Sequence, residues 1–141
     1  MDIAARIASR LVGHCLLEVE RSDYDWLFRF ENSIGLRATC PWRIIAEGRI
    51  AHGDSDHAQQ FGLPKPIDGA ARSGGLLINK PIENIAIRED TGDLTISFEG
   101  KIVLEILNTS SGYEGWQLND GASLNVIAMG GGELALWNSP S

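Results

Sequence analysis

Apolar residues change period along the chain. Ile3, Ile7 and Leu11 recur every four residues, with Ala4 and Ala8 beside them and Arg6, Ser9 and Arg10 off the stripe. That spacing predicts a helix. Asp2 stands where a helix start favours negative charge, and Gly13 where a helix stops. From His14 the period becomes two. Cys15, Leu17 and Val19 alternate with Glu18 and Glu20. After the turn RSDYD, Tyr24, Trp26, Phe28 and Phe30 alternate with Asp25, Leu27, Arg29 and Glu31. After ENSIG, Ile34, Leu36, Ala38 and Cys40 alternate with Arg37 and Thr39. Alternation with aromatic and branched residues predicts half-buried strands in an antiparallel meander.

The stretch from His52 to about Ser73 breaks the pattern. GLPKPIDG holds two prolines and two glycines, which is loop chemistry. A short helix from Asp68 to Asn79 is compatible with the sequence, Asp68 serving as cap, although Gly74 and Gly75 each cost about 1 kcal/mol against alanine. Strands resume at Pro81. Ile82 and Ile85 to Ile87 lead to the turn EDTGD, LTISFEG places Leu94, Ile96 and Phe98 on one face, and KIVLEIL follows with Ile102, Leu104 and Ile106. A gapless shift of 68 residues superposes Leu17 on Ile85, Val19 on Ile87, Trp26 on Leu94, Phe30 on Phe98 and Leu36 on Leu104. Two copies of a three-stranded unit, each preceded by a helical segment, are therefore expected. The tail adds YEGWQL, ASLNVIAM and ELALW as strands. Gly130–Gly132 reads as a hairpin turn, because no Gly-Lys-Ser/Thr follows to make a phosphate loop. The expected fold is α+β, a mostly antiparallel β meander of two similar units with an N-terminal helix and a short middle helix. At 141 residues the chain fits one domain, with units roughly at 2–50 and 68–118 and a β tail at 119–141.

Charge narrows the partners. The formal net charge is −7, without a Lys/Arg cluster. Acidic side chains repel a phosphate backbone, so nucleic acid is not an expected partner. A basic protein is better matched, although the same charge also serves solubility. No apolar run approaches the ~18 residues of a membrane helix. The N-terminus has an acid and arginines where a secretory signal needs a basic start and an unbroken apolar run. The expected location is the cytoplasm, without a membrane partner. Cys15 and Cys40 belong to no CxxC motif and read as buried, reduced thiols; a disulfide requires their strands to be neighbours.

Candidate chemistry centres on HGDSDH. His52, Asp54, Asp56 and His57 are metal-type ligands, but all lie in one loop without a second cluster, and a zinc site needs three or four converging donors. A calcium loop starting at Asp54 fails, since its twelfth position is Lys65. A solvated polar loop is the stronger reading, and no cofactor is expected. No G-x-S-x-G elbow occurs, and thiols in strand patterns are normally inert; no catalytic residue is assigned. Trp42–Arg43 and Glu114–Trp116 each set a large ring beside a charge. They read as a recognition surface or, more strongly, as a core tryptophan whose neighbouring arginine bridges to a carboxylate such as Glu114.

The blocks TCPWRI, GDSD, GDLTISF and LEILNTSSGYEGWQL, in that order, resemble a group of small bacterial proteins of unknown function. The resemblance spans about Leu36 to Leu118. Its motifs are specific as a set and weak singly, and this chain departs from the group in its Gly-rich end and short middle loop. The group is suspected to comprise immunity proteins of toxin systems, which bind a toxin and block it without catalysis. The resemblance carries over only the motif positions Trp42, Arg43, Asp56, Glu114 and Trp116. It implies a protein partner, a basic toxin being the expected one. The competing expectation is a small-molecule- or metal-binding protein, an enzyme included, using the 52–57 loop with Glu114. A homodimer joined by edge strands is compatible with either, since Leu27 and Val103 are expected to be exposed.

Overall fold

The computed structural model describes residues 2–121 and 123–137. Two helices and eleven strands follow in the order α1 (Ile3–Leu11), β1 (Leu16–Arg21), β2 (Trp26–Phe30), β3 (Ile34–Ala38), β4 (Trp42–Ala46), β5 (Arg49–Gly53), α2 (Gly69–Leu77), β6 (Ile82–Ile87), β7 (Leu94–Phe98), β8 (Ile102–Ile106), β9 (Trp116–Asn119), β10 (Asn125–Ala128) and β11 (Leu134–Trp137). The fold is α+β, and every strand pairing is antiparallel.

The repeat expected from sequence is present in finer form. Asp2 accepts the Ala5 N–H at the start of α1 (2.7 Å), and Asp68, 66 positions later, accepts the Ala71 N–H at the start of α2 (3.2 Å). Such caps satisfy an otherwise orphaned donor. Both helices are nine residues long. The glycines at 74 and 75 do not prevent α2, whose buried face is Gly69, Ser73, Gly74 and Leu77.

The first strand of each unit carries a register shift, between Leu16 and Glu18 in β1 and between Ile82 and Asn84 in β6. Two residues there oppose one on the partner, which inverts the side-chain alternation. Leu16 and Val19 are buried while Leu17 is 58% exposed, and in β6 the buried pair is Ile82 and Ile85. This corrects the expectation that Cys15, Leu17 and Val19 share the core face. It also corrects the gapless superposition, because helices and first strands match at a shift of 66 and the next two strands at 68. The extra two residues lie in the turn before β7.

The antiparallel meander is shared between two sheets. One sheet runs β1-β2-β3-β9-β10-β11 and the other β5-β4-β8-β7-β6. After three strands each unit crosses to the opposite sheet. β4 pairs with β8, and β9 pairs with β3. The registers match: Ile106 faces Trp42 across one junction, and Ala38 faces Trp116 across the other. The helices cross as well, α1 packing on β6 and α2 on β1. Apolar side chains of both sheets and both helices meet in one buried cluster.

The β4–β5 connection, Glu47–Gly48, has φ of +54° and +72°. Two consecutive left-handed residues are what a two-residue hairpin turn needs to match strand twist. β5 therefore reaches into the stretch expected to be loop. Leu27 and Val103 are half-buried on interior strands, so neither lies on an edge as the homodimer expectation required. The edges are β1, β11, β5 and β6. Among the described residues no helix is long and apolar enough to cross a membrane.

Candidate functional site: the face at the strand crossovers

The histidine–aspartate cluster divides on folding. His52 sits in β5 opposite Ile44 and is fully buried, contrary to the expectation of a solvated loop. Its ring lies against Trp42, with centroids 5.6 Å apart. Neither His52 nitrogen has a hydrogen-bond partner, and burial, the dominant effect, pushes its pKa below the ordinary 6.5. The nearest carboxylate oxygen, on Asp56, is 3.9 Å from Nδ1, beyond hydrogen-bond range.

The others serve the backbone. Asp54 accepts the Trp42 N–H (3.2 Å), Asp56 accepts the Gly53 N–H (3.0 Å), and His57 Nδ1 accepts the Gly69 N–H at the start of α2 (2.9 Å). Among the described residues no group of three or more His, Cys, Asp or Glu side chains converges to hold a metal ion.

Trp42 and Trp116 are 1% exposed. Trp42 packs edge-on against Trp26 and Phe28, at 5.1 and 5.2 Å between ring centroids. Such pairs add about 0.5–1.5 kcal/mol each beyond their buried area. Trp116 donates its Nε1 hydrogen to Gly92 O (2.8 Å), whereas Trp42 Nε1 has no acceptor. Arg43 pairs with Glu105 directly across the β4–β8 ladder at 2.6 Å, and so not with Glu114. Glu114 is exposed on the connection into β9.

The thiols are free and half-buried, less enclosed than expected. Burial pushes Cys40 up to about 12, and Cys15 is raised by burial and then by Glu31. Both are protonated at neutral pH and poor nucleophiles.

An open surface lies where the chain changes sheets. The connection from β3 to β4 (residues 39–41) runs beside the one from β8 to β9 (107–115). Thr39 donates from its backbone to Gly115 O (2.9 Å), its Oγ1 reaches Gly115 O and Glu114 O (2.9 and 3.1 Å), and Leu107 N–H bonds Pro41 O (2.8 Å). Asn108 clamps two further loops, donating to Thr91 O and Met129 O at 3.0 and 3.1 Å.

Two depressions share Thr39 and Cys40. One, of about 660 Å³, is lined by Asn108–Ser110 and Gly112–Gly115; the other, of about 280 Å³, by Arg21, Tyr24, Trp26, Asp54, Ser55 and His57. Tyr24 is 89% exposed and Tyr113 83%. The alternation had placed Tyr24 on the core face, but it precedes the first residue of β2 and stands outside the sheet. Neither tyrosine stood out in the sequence; the available signal was a large aromatic inside a turn, SDYD and SGYEG.

No protein-family model, curated protein or solved structure matches this chain.

Proposed function

We propose that this chain is a non-catalytic binding protein of the immunity type, which neutralises a partner toxin by direct contact through the crossover face. The observation that carries the reading is the pair of exposed tyrosines, Tyr24 and Tyr113, each lining one of two adjoining depressions. Tyrosine is enriched among residues that dominate binding energy, because a rigid amphipathic ring offers contact area at little entropic cost. The face is held rigid by the hydrogen bonds between the two connections, so little order has to be gained on binding. The net charge of −7 suits a basic partner, and the block resemblance points to the same class.

The test is co-expression with the product of the adjacent reading frame, assayed for toxicity, followed by pull-down at native salt. Wild type is expected to capture it. Tyr24→Ala and Tyr113→Ala are each expected to weaken capture at least tenfold while the circular dichroism spectrum is unchanged. Failure of the wild-type chain to capture it, or capture unaffected by both substitutions, overturns the reading.

A further inference from the structure

The larger depression has a single chemical character. Its side chains offer the hydroxyls of Thr39, Thr109 and Ser110, the ring of Tyr113 and one carboxylate, Glu114, with no lysine, arginine or histidine among them. Glu114 is held in place through its backbone, whose carbonyl accepts from Thr39 Oγ1. Its carboxylate has no partner among the described residues. That contrasts with Arg37–Asp25 nearby, a pair already satisfied at 2.9 Å. The backbone of Tyr113 is anchored by its N–H bonding Ser110 Oγ at 2.8 Å, and its ring stands exposed beside the hollow.

An exposed aromatic ring next in sequence to an unmet carboxylate, in a hollow whose lining holds no cation, fits a planar cation. The carboxylate accepts its N–H groups in pairs and the ring attracts its charge. We infer that this depression receives an arginine side chain of the partner, its guanidinium paired with Glu114 and stacked on Tyr113. A volume of about 660 Å³ lies within the range of small-ligand sites and admits the arginine with its neighbouring backbone. The inference rests on the binding reading above, since it assigns the partner's contact group.

The experiment titrates the full ¹⁵N-labelled chain with acetyl-Gly-Arg-Gly-amide and with the same peptide bearing citrulline, the uncharged isostere. The arginine peptide is expected to shift the amides of residues 39–40 and 108–115 at least fivefold more than the citrulline peptide. Glu114→Gln is expected to abolish that difference, and Tyr113→Ala to reduce the shifts. The inference is overturned if neither peptide shifts those amides, if the two act equally, if Glu114→Gln leaves the difference intact, or if the shifts spread to remote carboxylates such as Glu18 and Glu83. Toxin capture by wild type without an arginine response removes this inference and leaves the binding reading standing. An arginine response without toxin capture does the reverse.

Discussion

His52 lies against the ring of Trp42, and neither side chain has a hydrogen-bond partner for its ring nitrogens. In the other unit the position matching His52 is Val126: His52 faces Ile44, Val126 faces Leu118, and these partners occupy equivalent places in β4 and β9. Ser73, also buried and unpartnered, likewise stands where α1 has Ile7. Each unit therefore buries one polar group, His52 in the first and Ser73 in the second, where its counterpart buries an aliphatic side chain.

A pH dependence follows. The folded-state pKa of His52 is depressed by burial, so the unfolded chain binds its proton first as pH falls. This histidine leaves stability unaffected well above 6.5 and lowers it progressively below 6.5. Urea unfolding at pH 7.5 and 5.0 should show a smaller loss for His52→Val than for wild type. At pH 7.5 that variant, like Ser73→Ala, should be more stable by about 1 kcal/mol, because an orphaned buried polar group is removed. Equal pH slopes for wild type and His52→Val would falsify the account.

The tryptophans should differ although both are buried. Trp116→Phe strands the Gly92 carbonyl, whereas Trp42→Phe removes a donor that had no acceptor. Trp116→Phe should cost more than Trp42→Phe, by about 1–2 kcal/mol. Denaturant midpoints at constant slope decide the ranking.

Gly115 is constrained by space. A Cβ there would overlap Asn108 Oδ1 and stand 3.3 Å from Cys40 Sγ, whereas one at Gly112 meets nothing within 4 Å. Gly115→Ala should cost about 2 kcal/mol or more and, under the proposed binding function, weaken partner capture by displacing the connections. Gly112→Ala should fall within about 0.5 kcal/mol of wild type. Similar effects of the two, measured by thermal unfolding and pull-down, would count against a packed crossover.

Arg43 offers a salt-sensitive test. Its pairing with Glu105 is short, but the arginine side chain is 42% exposed, so screening limits its worth to about 0.5 kcal/mol. A double-mutant cycle on Arg43→Ala and Glu105→Gln should give that coupling at low salt and almost none at 1 M. A coupling unchanged by salt means that the pair is effectively buried.

Period two identified β2, β3, β7 and β8, where Trp26, Phe28, Phe30, Ile34 and Leu36 are buried as expected. It misplaced Leu17 because a bulge inverts alternation without altering composition. It could not show the strand exchange, since pairing between β3 and β9, such as Arg37 with Gln117, joins residues about 80 apart and leaves no local trace. His52 was read as loop because a polar residue near two aspartates looks solvated. The signal that favoured a strand was the Glu47–Gly48 turn between WRIIA and RIAHG. Trp42 and Trp116 stood out as architectural in the sequence, and they face equivalent residues at the two sheet junctions. The surface between the connections was not legible, since it is assembled from four separate segments, around residues 21–26, 38–41, 54–57 and 108–115, that meet only in the fold.

The exchange of strands has a consequence for how such a protein could arise. Residues 2–53 contain α1 and β1–β5, yet β4 and β5 lie in the sheet begun by the later half, and α1 rests on that half's β6. Alone, this segment would hold a three-stranded sheet with an open edge and a hairpin with nowhere to dock. Two copies would repair each other by trading hairpins and helices around a two-fold axis. A gene of half the length could thus encode the same architecture as a swapped dimer, and fusing the copies would free each half to change alone, so that the first half could gain His52 where the second has Val126, and the second could gain Ser73 where the first has Ile7.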